Sequence, residues 1–239
     1  MAGVFAAEMA ELGLYGDGKL IEPGPPGLFH AMLGQTLNLG ALGKSWRLPE
    51  NNYKRYPSCG FTHAAIEVGQ QLAHDTDPST IRGIRISANP VALQVAGFRA
   101  PATSTEARFS LPYAVTLGLL DRNVTPEKFG EKHLQRPDVR ALLGMTELVA
   151  DATIERWSSR VELTLADGEP RASTVVVPKG MKEQQLDWQD LEDKFEGAVF
   201  GRPGARALRV AIRRFGDEHN TELIRSLLRL QNLSTARSR

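Results

Sequence analysis

Apolar residues recur along this chain at two different spacings, and the change from one to the other divides it. Near the start Phe5, Met9 and Leu12 keep helical spacing, and the glycines Gly13, Gly16 and Gly18 suit a helix end, which predicts a first helix. The stretch PGPP at 23–26 interrupts regular structure, and GLFHAMLGQTLNLGAL after it predicts a second, short helical run. In THAAIEVGQQL, Thr62 is the expected N-cap of a further helix, with Ala65, Gly69 and Leu72 at helical spacing. The spacing then drops to two. In IRGIRISA, Ile84 and Ile86 alternate with Arg85 and Ser87, as in a half-buried strand. In RVELTLADGEPRASTVVVP, Val161, Leu163 and Leu165 alternate with polar residues, Asp167-Gly168 marks a turn, and Val175 and Val177 lie on the return strand of an antiparallel hairpin.

Between these strands, STEARFSLPYAVTLGLLD is an apolar helix-like run disturbed by Pro112, and TPEKFGEKH offers Thr125 as a cap with Pro126 at the first helical position. From Asp187 the pattern is helical again in DWQDLEDKFEGAVF, ARALRVAIRRF and NTELIRSLLRL, separated by Gly and Pro, and the tail TARSR is expected to fray. The order predicts an α+β fold: a small antiparallel-sheet lid, residues 49–182, with helices on one side of the sheet. It is inserted between residues 1–48 and 183–239, which form parts of one all-α domain. A helical pattern that starts at the first residues without a cap predicts an element normally preceded by more protein, and the helical layer is therefore expected to be incomplete.

Composition narrows the function. The 239 residues are 41% hydrophobic, and 29 Lys and Arg against 28 Asp and Glu leave a net charge of +1, so no general field would gather nucleic acid or an anionic membrane. No apolar run reaches the roughly 20 residues of a spanning helix, and Glu8 and Glu11 stand where a signal peptide would be apolar, so a cytoplasmic protein is expected. Cys59 is the single cysteine, which excludes an intrachain disulfide and a multi-thiolate metal site. His30, His74, His133 and His219 show no ligand spacing, and no phosphate-binding loop, dinucleotide fingerprint or zinc-protease motif is present. An enzyme of this composition is expected to use no cofactor and no metal. It would work through side-chain acids, bases and cations, by proton transfer at carbon, elimination or decarboxylation on a small anionic substrate.

The candidate chemistry gathers in YKRYPSCGFTHAAIEVG, residues 53–69. Lys54 and Arg55 suit a substrate carboxylate, Arg55 in bidentate fashion, or form a solvated charged pair. His63, in the first turn of a helix whose dipole disfavours the imidazolium, is either a neutral base or a histidine bonded to the neighbouring loop. Cys59, just ahead of that helix, is either an activated thiolate or a packed thiol. In EARFSLPYAV, Arg108 pairs with Glu106 or with substrate, and the Tyr113 hydroxyl reaches into a cleft or serves the fold.

Three blocks in order, YKRYPSCGFTHAAIEVGQQLA, EARFSLPYAVTLGLLD and RPDVRALLGMTELVAD, resemble the MmgE/PrpD family of 2-methylcitrate dehydratases, cis-aconitate decarboxylases and iminodisuccinate epimerases. The resemblance covers essentially the whole chain. It implies a cofactor-independent lyase or isomerase acting on a small di- or tricarboxylate, with the active site between a helical domain and an α+β lid. It also implies that Lys54 matches the lysine of the KRFPAH-like motif, that His63 matches the histidine of the YPxCxxTH form, and that Tyr113 matches the tyrosine of the second block. Cys59 stands where the decarboxylase branch has histidine, which counts against decarboxylation. Family members are longer, and the part without a counterpart here, N-terminal helices bearing an aspartate and a histidine, predicts a truncated form. A homodimer, or association with such a helical part, is expected. The competing expectation is a non-catalytic binding or assembly module that keeps the lid fold.

Overall fold

Phe5 and Met9 lie on a helix, α1 (Ala2–Glu11), with Leu12 just past its end, and Gly13 closes it: at φ +90° its N–H donates to the Ala10 carbonyl, and the next N–H, of Leu14, donates to that of Met9. The second run contains α2 (Leu28–Leu33), ended by Gly34 at φ +63°. The computed structural model describes residues 2–16, 18, 28–34, 40, 42–121, 123–199 and 204–213, so PGPP, residues 35–39, NTELIRSLLRL and the basic tail lie outside the described residues. The chain divides into two compact units, Met1–Glu50 and Asn51–Arg239, and α1 and α2 belong to the first.

The second unit contains a four-stranded sheet: β1 (Ile81–Ala88), β2 (Thr146–Ala150), β3 (Ser159–Leu165) and β4 (Pro170–Val175), in the order β2-β1-β3-β4. The expected hairpin is β3 and β4, paired antiparallel from Ser159 with Val175 to Thr164 with Pro170, and Gly168 at φ +84° takes the left-handed turn position. β1 runs antiparallel to β3. The sheet is nevertheless mixed rather than antiparallel, because β2 pairs parallel with β1, Ile84 beside Thr146 through Ala88 beside Ala150. A parallel neighbour needs a long crossover, and residues 89–145 supply it with α4 (Pro90–Ala96), α5 (Ser104–Arg108), α6 (Leu111–Leu120), α7 (Glu131–Leu134) and α8 (Pro137–Gly144).

The disturbance at Pro112 is a helix start. Ser110 caps α6 by accepting the Tyr113 N–H, and Pro112 lies in the first turn, where its missing donor costs nothing. Residues 111–119 are all buried, so α6 is the central helix of the unit. α3 (His63–Leu72) crosses it at backbone contact: a Cβ on Gly69 would lie 2.6 Å from the Val115 carbonyl oxygen. α3 packs on β3 and β4, and its buried Ile66, Val68 and Leu72 join Ile84, Ile86, Val161 and Leu163 in one core. Thr125 and Pro126 open a 3-10 turn, Pro126–Phe129, instead of an α-helix. α9 (Trp188–Val199) and α10 (Ala205–Arg213) follow the sheet, and no helix among the described residues is long and apolar enough to cross a membrane.

Candidate active site

The segment that leads into α3 folds as a tight corner. Thr62 does not cap α3 with its side chain; its hydroxyl donates to the Cys59 carbonyl at 2.8 Å and lies 2.8 Å from the Ser58 hydroxyl, inside a 3-10 turn, Gly60–Thr62. The Cys59 N–H donates to the Arg108 carbonyl at 2.9 Å, and Arg108 Nη1 donates to the Pro57 carbonyl at 2.7 Å while its guanidinium lies over the Phe129 ring. Arg108 thus ties the end of α5 to the corner, and among the described residues it makes no ion pair with Glu106. The Glu106 carboxylate accepts instead from the Ala102 N–H. Phe61 stacks on Trp157 with ring centroids 4.5 Å apart, and the bare Cα of Gly60 makes room for the indole. Cys59 is a buried free thiol within this packing.

His63 is the first residue of α3 and is only 1% exposed, its ring edge-on to Tyr56 with centroids 5.2 Å apart. Neither ring nitrogen has a hydrogen-bond partner. Burial, aided by the charge of Lys54, pushes the imidazole down to about 4, while the carbonyls of Ser58 and Tyr56 act weakly the other way without closing a hydrogen bond. The ring is therefore neutral at pH 7, with burial as the largest cause. Lys54 is exposed, and among the described residues its ammonium makes no ion pair or hydrogen bond.

Arg55 is already engaged. Its Nη1 meets Asp190 Oδ1 at 2.8 Å, and the Asp190 side chain is only 5% exposed. Lys179 Nζ lies 3.0 Å from both oxygens of the same carboxylate. Burial works to raise the Asp190 carboxyl, yet Lys179, the Asp187 N–H and Arg55 hold it below the usual carboxylate range. Glu67 of α3 accepts the Lys179 N–H at 3.0 Å, and burial pushes its carboxyl up to about 7. At the head of α9 a reciprocal cap forms: Asp187 accepts the Asp190 N–H at 2.8 Å and Asp190 accepts that of Asp187 at 3.2 Å. The D-x-x-D spacing of DWQD could have announced that cap, but nothing local announces its link to Arg55.

Tyr113 makes contacts of its own. It is fully buried, edge-on to Phe129, and its hydroxyl donates to the Lys128 carbonyl; burial, then the charge of Asp121, pushes the phenol up. Asp121 beside it gathers Lys128 Nζ at 2.6 Å, His133 Nε2 at 2.9 Å and Arg136 Nη1 at 3.4 Å, a network the sequence did not suggest. The structure thus groups Lys54, Cys59 and His63 on one corner and gives Arg55, Arg108 and Tyr113 partners within the fold.

A cavity of about 420 Å³ lies between α9, the Asn123–Pro126 turn and residues 55–57. Its acids, Asp190, Asp193 and Glu196, outnumber Arg55 and Lys194, which does not suit a polycarboxylate, and neither Lys54 nor His63 lines it. Among the described residues no three His, Cys, Asp or Glu side chains are placed to hold a metal ion. Compared with known proteins, residues 56–215 match the family model for the MmgE/PrpD C-terminal domain. Human cis-aconitate decarboxylase is 28% identical over 205 residues, which cover 81% of this chain and 43% of that protein. The chain thus matches less than half the length of this relative.

Proposed function

The chain belongs to the MmgE/PrpD family, and from that premise we propose that it takes part in a lyase or isomerase reaction on a small di- or tricarboxylate, by proton transfer at the carbon next to a carboxylate. The observation that carries the reading is the corner of residues 54–63: an exposed ammonium on Lys54 that has no partner among the described residues, ahead of a buried neutral imidazole, on His63, whose two nitrogens lack hydrogen-bond partners. An ammonium at a carboxylate neutralises the charge that builds up when a proton leaves the adjacent carbon. A neutral imidazole is a base for that proton. Cys59 lies on the same corner as a small, polarisable wall. With their side chains engaged inside the fold, Arg55, Arg108 and Tyr113 support this arrangement and are not its reactive groups. The similarity to a protein named cis-aconitate decarboxylase makes unsaturated and hydroxylated tricarboxylates the first compounds to try.

The test is proton NMR of the protein in D2O with cis-aconitate, 2-methylcitrate and simpler dicarboxylates. The reading expects one of them to be converted, or to exchange the hydrogen next to a carboxylate for deuterium. Neither change with any compound, at protein concentrations near the substrate's, would leave a binding module as the better reading.

A further inference from the structure

Lys54 and Arg55 are adjacent cations with opposite surroundings. On one side of them stands α9, where Asp190 and Lys194 lie one turn apart: Asp190 holds the Arg55 guanidinium at 2.8 Å, and Lys194 Nζ donates to the Lys54 carbonyl at 2.5 Å. On the other side stands the turn at 179–184. The Tyr53 N–H donates to the Gly180 carbonyl at 2.6 Å, and Asn52 Oδ1 accepts the Lys182 N–H at 2.9 Å. Gly180 takes φ +96°, and a Cβ there would overlap the Tyr53 carbonyl, so the approach of these two strands of chain requires glycine. Both sides meet at one atom group, the Asp190 carboxylate, which also receives Lys179 Nζ.

We propose that Asp190 is the positioning residue of the Lys54 site: by joining Arg55 of the corner to Lys179 of the turn and to the cap of α9, it fixes residues 53–55 and leaves the Lys54 ammonium as the cation presented to substrate. The inference rests on the reading of Lys54 as the carboxylate-binding group, and it adds a residue far along the chain whose link to the corner no local motif marks. The charges fit. Two cations converge on Asp190, and Glu67 takes the Lys179 N–H, so Arg55 and Lys179 are engaged locally and neither competes for substrate charge. An isosteric amide at 190 would keep the shape but lose the pull on Arg55 and Lys179. The segment would loosen while α9 could still form.

The experiment compares wild type, Asp190→Asn, Asp190→Glu and Lys194→Met by steady-state kinetics on the converted carboxylate and by backbone amide exchange. For Asp190→Asn the expected result is a KM higher by about tenfold to a hundredfold with a smaller change in kcat, because a misplaced cation weakens carboxylate binding first. The Tyr53 amide should exchange faster in this variant while the amides of β1 and β3 keep their protection. Asp190→Glu, which restores the charge, should recover most of the KM. Lys194→Met removes an exposed side chain whose bond is to the Lys54 carbonyl; if Asp190→Asn does not fold, this variant should raise KM with an unchanged melting midpoint. Unchanged KM and unchanged Tyr53 exchange in Asp190→Asn, or a loss shared equally by kcat and stability that Asp190→Glu does not recover, overturns the proposal. If wild type converts no carboxylate, the reading of the site fails by itself, and the Tyr53 exchange still decides whether Asp190 anchors the segment.

Discussion

A buried histidine and a half-buried glutamate within one turn of helix give this protein opposite responses to pH. His63 carries a folded pKa near 4 against an ordinary 6.5, so the folded state binds fewer protons than the unfolded one between those values. Its contribution to stability is complete above pH 6.5 and is lost as pH falls toward 4, in total about 3 kcal/mol by linkage. Glu67, raised to about 7 from 4.5, has the reverse sign: its contribution is complete below pH 4.5 and is lost as pH rises through 7. His63→Gln should therefore flatten the fall in stability between pH 6.5 and 4, and Glu67→Gln should remove the fall between 4.5 and 7, both read from urea midpoints across pH. A His63→Gln profile that keeps the wild-type acid limb would mean that the imidazole is protonated in the fold. At this scale the sequence showed His63, Lys54 and Cys59 as a cluster, because they are neighbours in the chain. It could not show that Arg55 is bound by Asp190, since α9 lies remote from the corner in sequence, with Lys54 and Lys194 separated by 140 positions. Nor could it show that the hydroxyl of Tyr113 is taken by a backbone carbonyl.

Among the elements, the α3–α6 crossing sets the corner, since α3 begins at His63 and is held where two glycines let the backbones touch. Ordinarily Gly→Ala in a helix gains up to about 1 kcal/mol. At Gly69 the new methyl would lie 2.6 Å from the Val115 oxygen and 2.9 Å from Gly118 Cα, so overpacking decides the sign. Gly69→Ala should destabilise by about 1–3 kcal/mol. Gly144→Ala, at the end of α8 with nothing within 4 Å of its Cβ, should be neutral or mildly stabilising in the same thermal melts. Equal melting temperatures for the two variants would contradict the close crossing. The hairpin of β3 and β4 and the strand β1 were legible because one face of each alternates with the other. β2 was not, because TELVA is five residues long and follows α8 without a break marked by proline. A parallel pairing leaves no turn motif in the sequence.

For the molecule as a whole, the near-zero net charge argues against long-range steering, and surface chemistry then depends on exposed apolar groups. Many of these lie in the first unit: Phe5, Leu12, Leu14, Met32, Trp46 and Leu48 are each more than half exposed. We propose that this apolar surface recruits a partner or a second copy. Sedimentation should show association that grows with concentration, and a monomer that binds no hydrophobic dye would contradict it. Division of the chain into 1–48, 49–182 and 183–239 remains our proposal for the intact protein, with the helical pieces forming one layer. The central claim, a carboxylate-handling site built on Lys54, is tested most directly by the rate of carboxylate conversion in wild type and Lys54→Met. The substitution removes an exposed side chain whose ammonium has no partner among the described residues, so folding stability should change by less than about 0.5 kcal/mol while conversion falls by at least about a hundredfold. Conversion at the wild-type rate in the Lys54→Met variant would contradict the account.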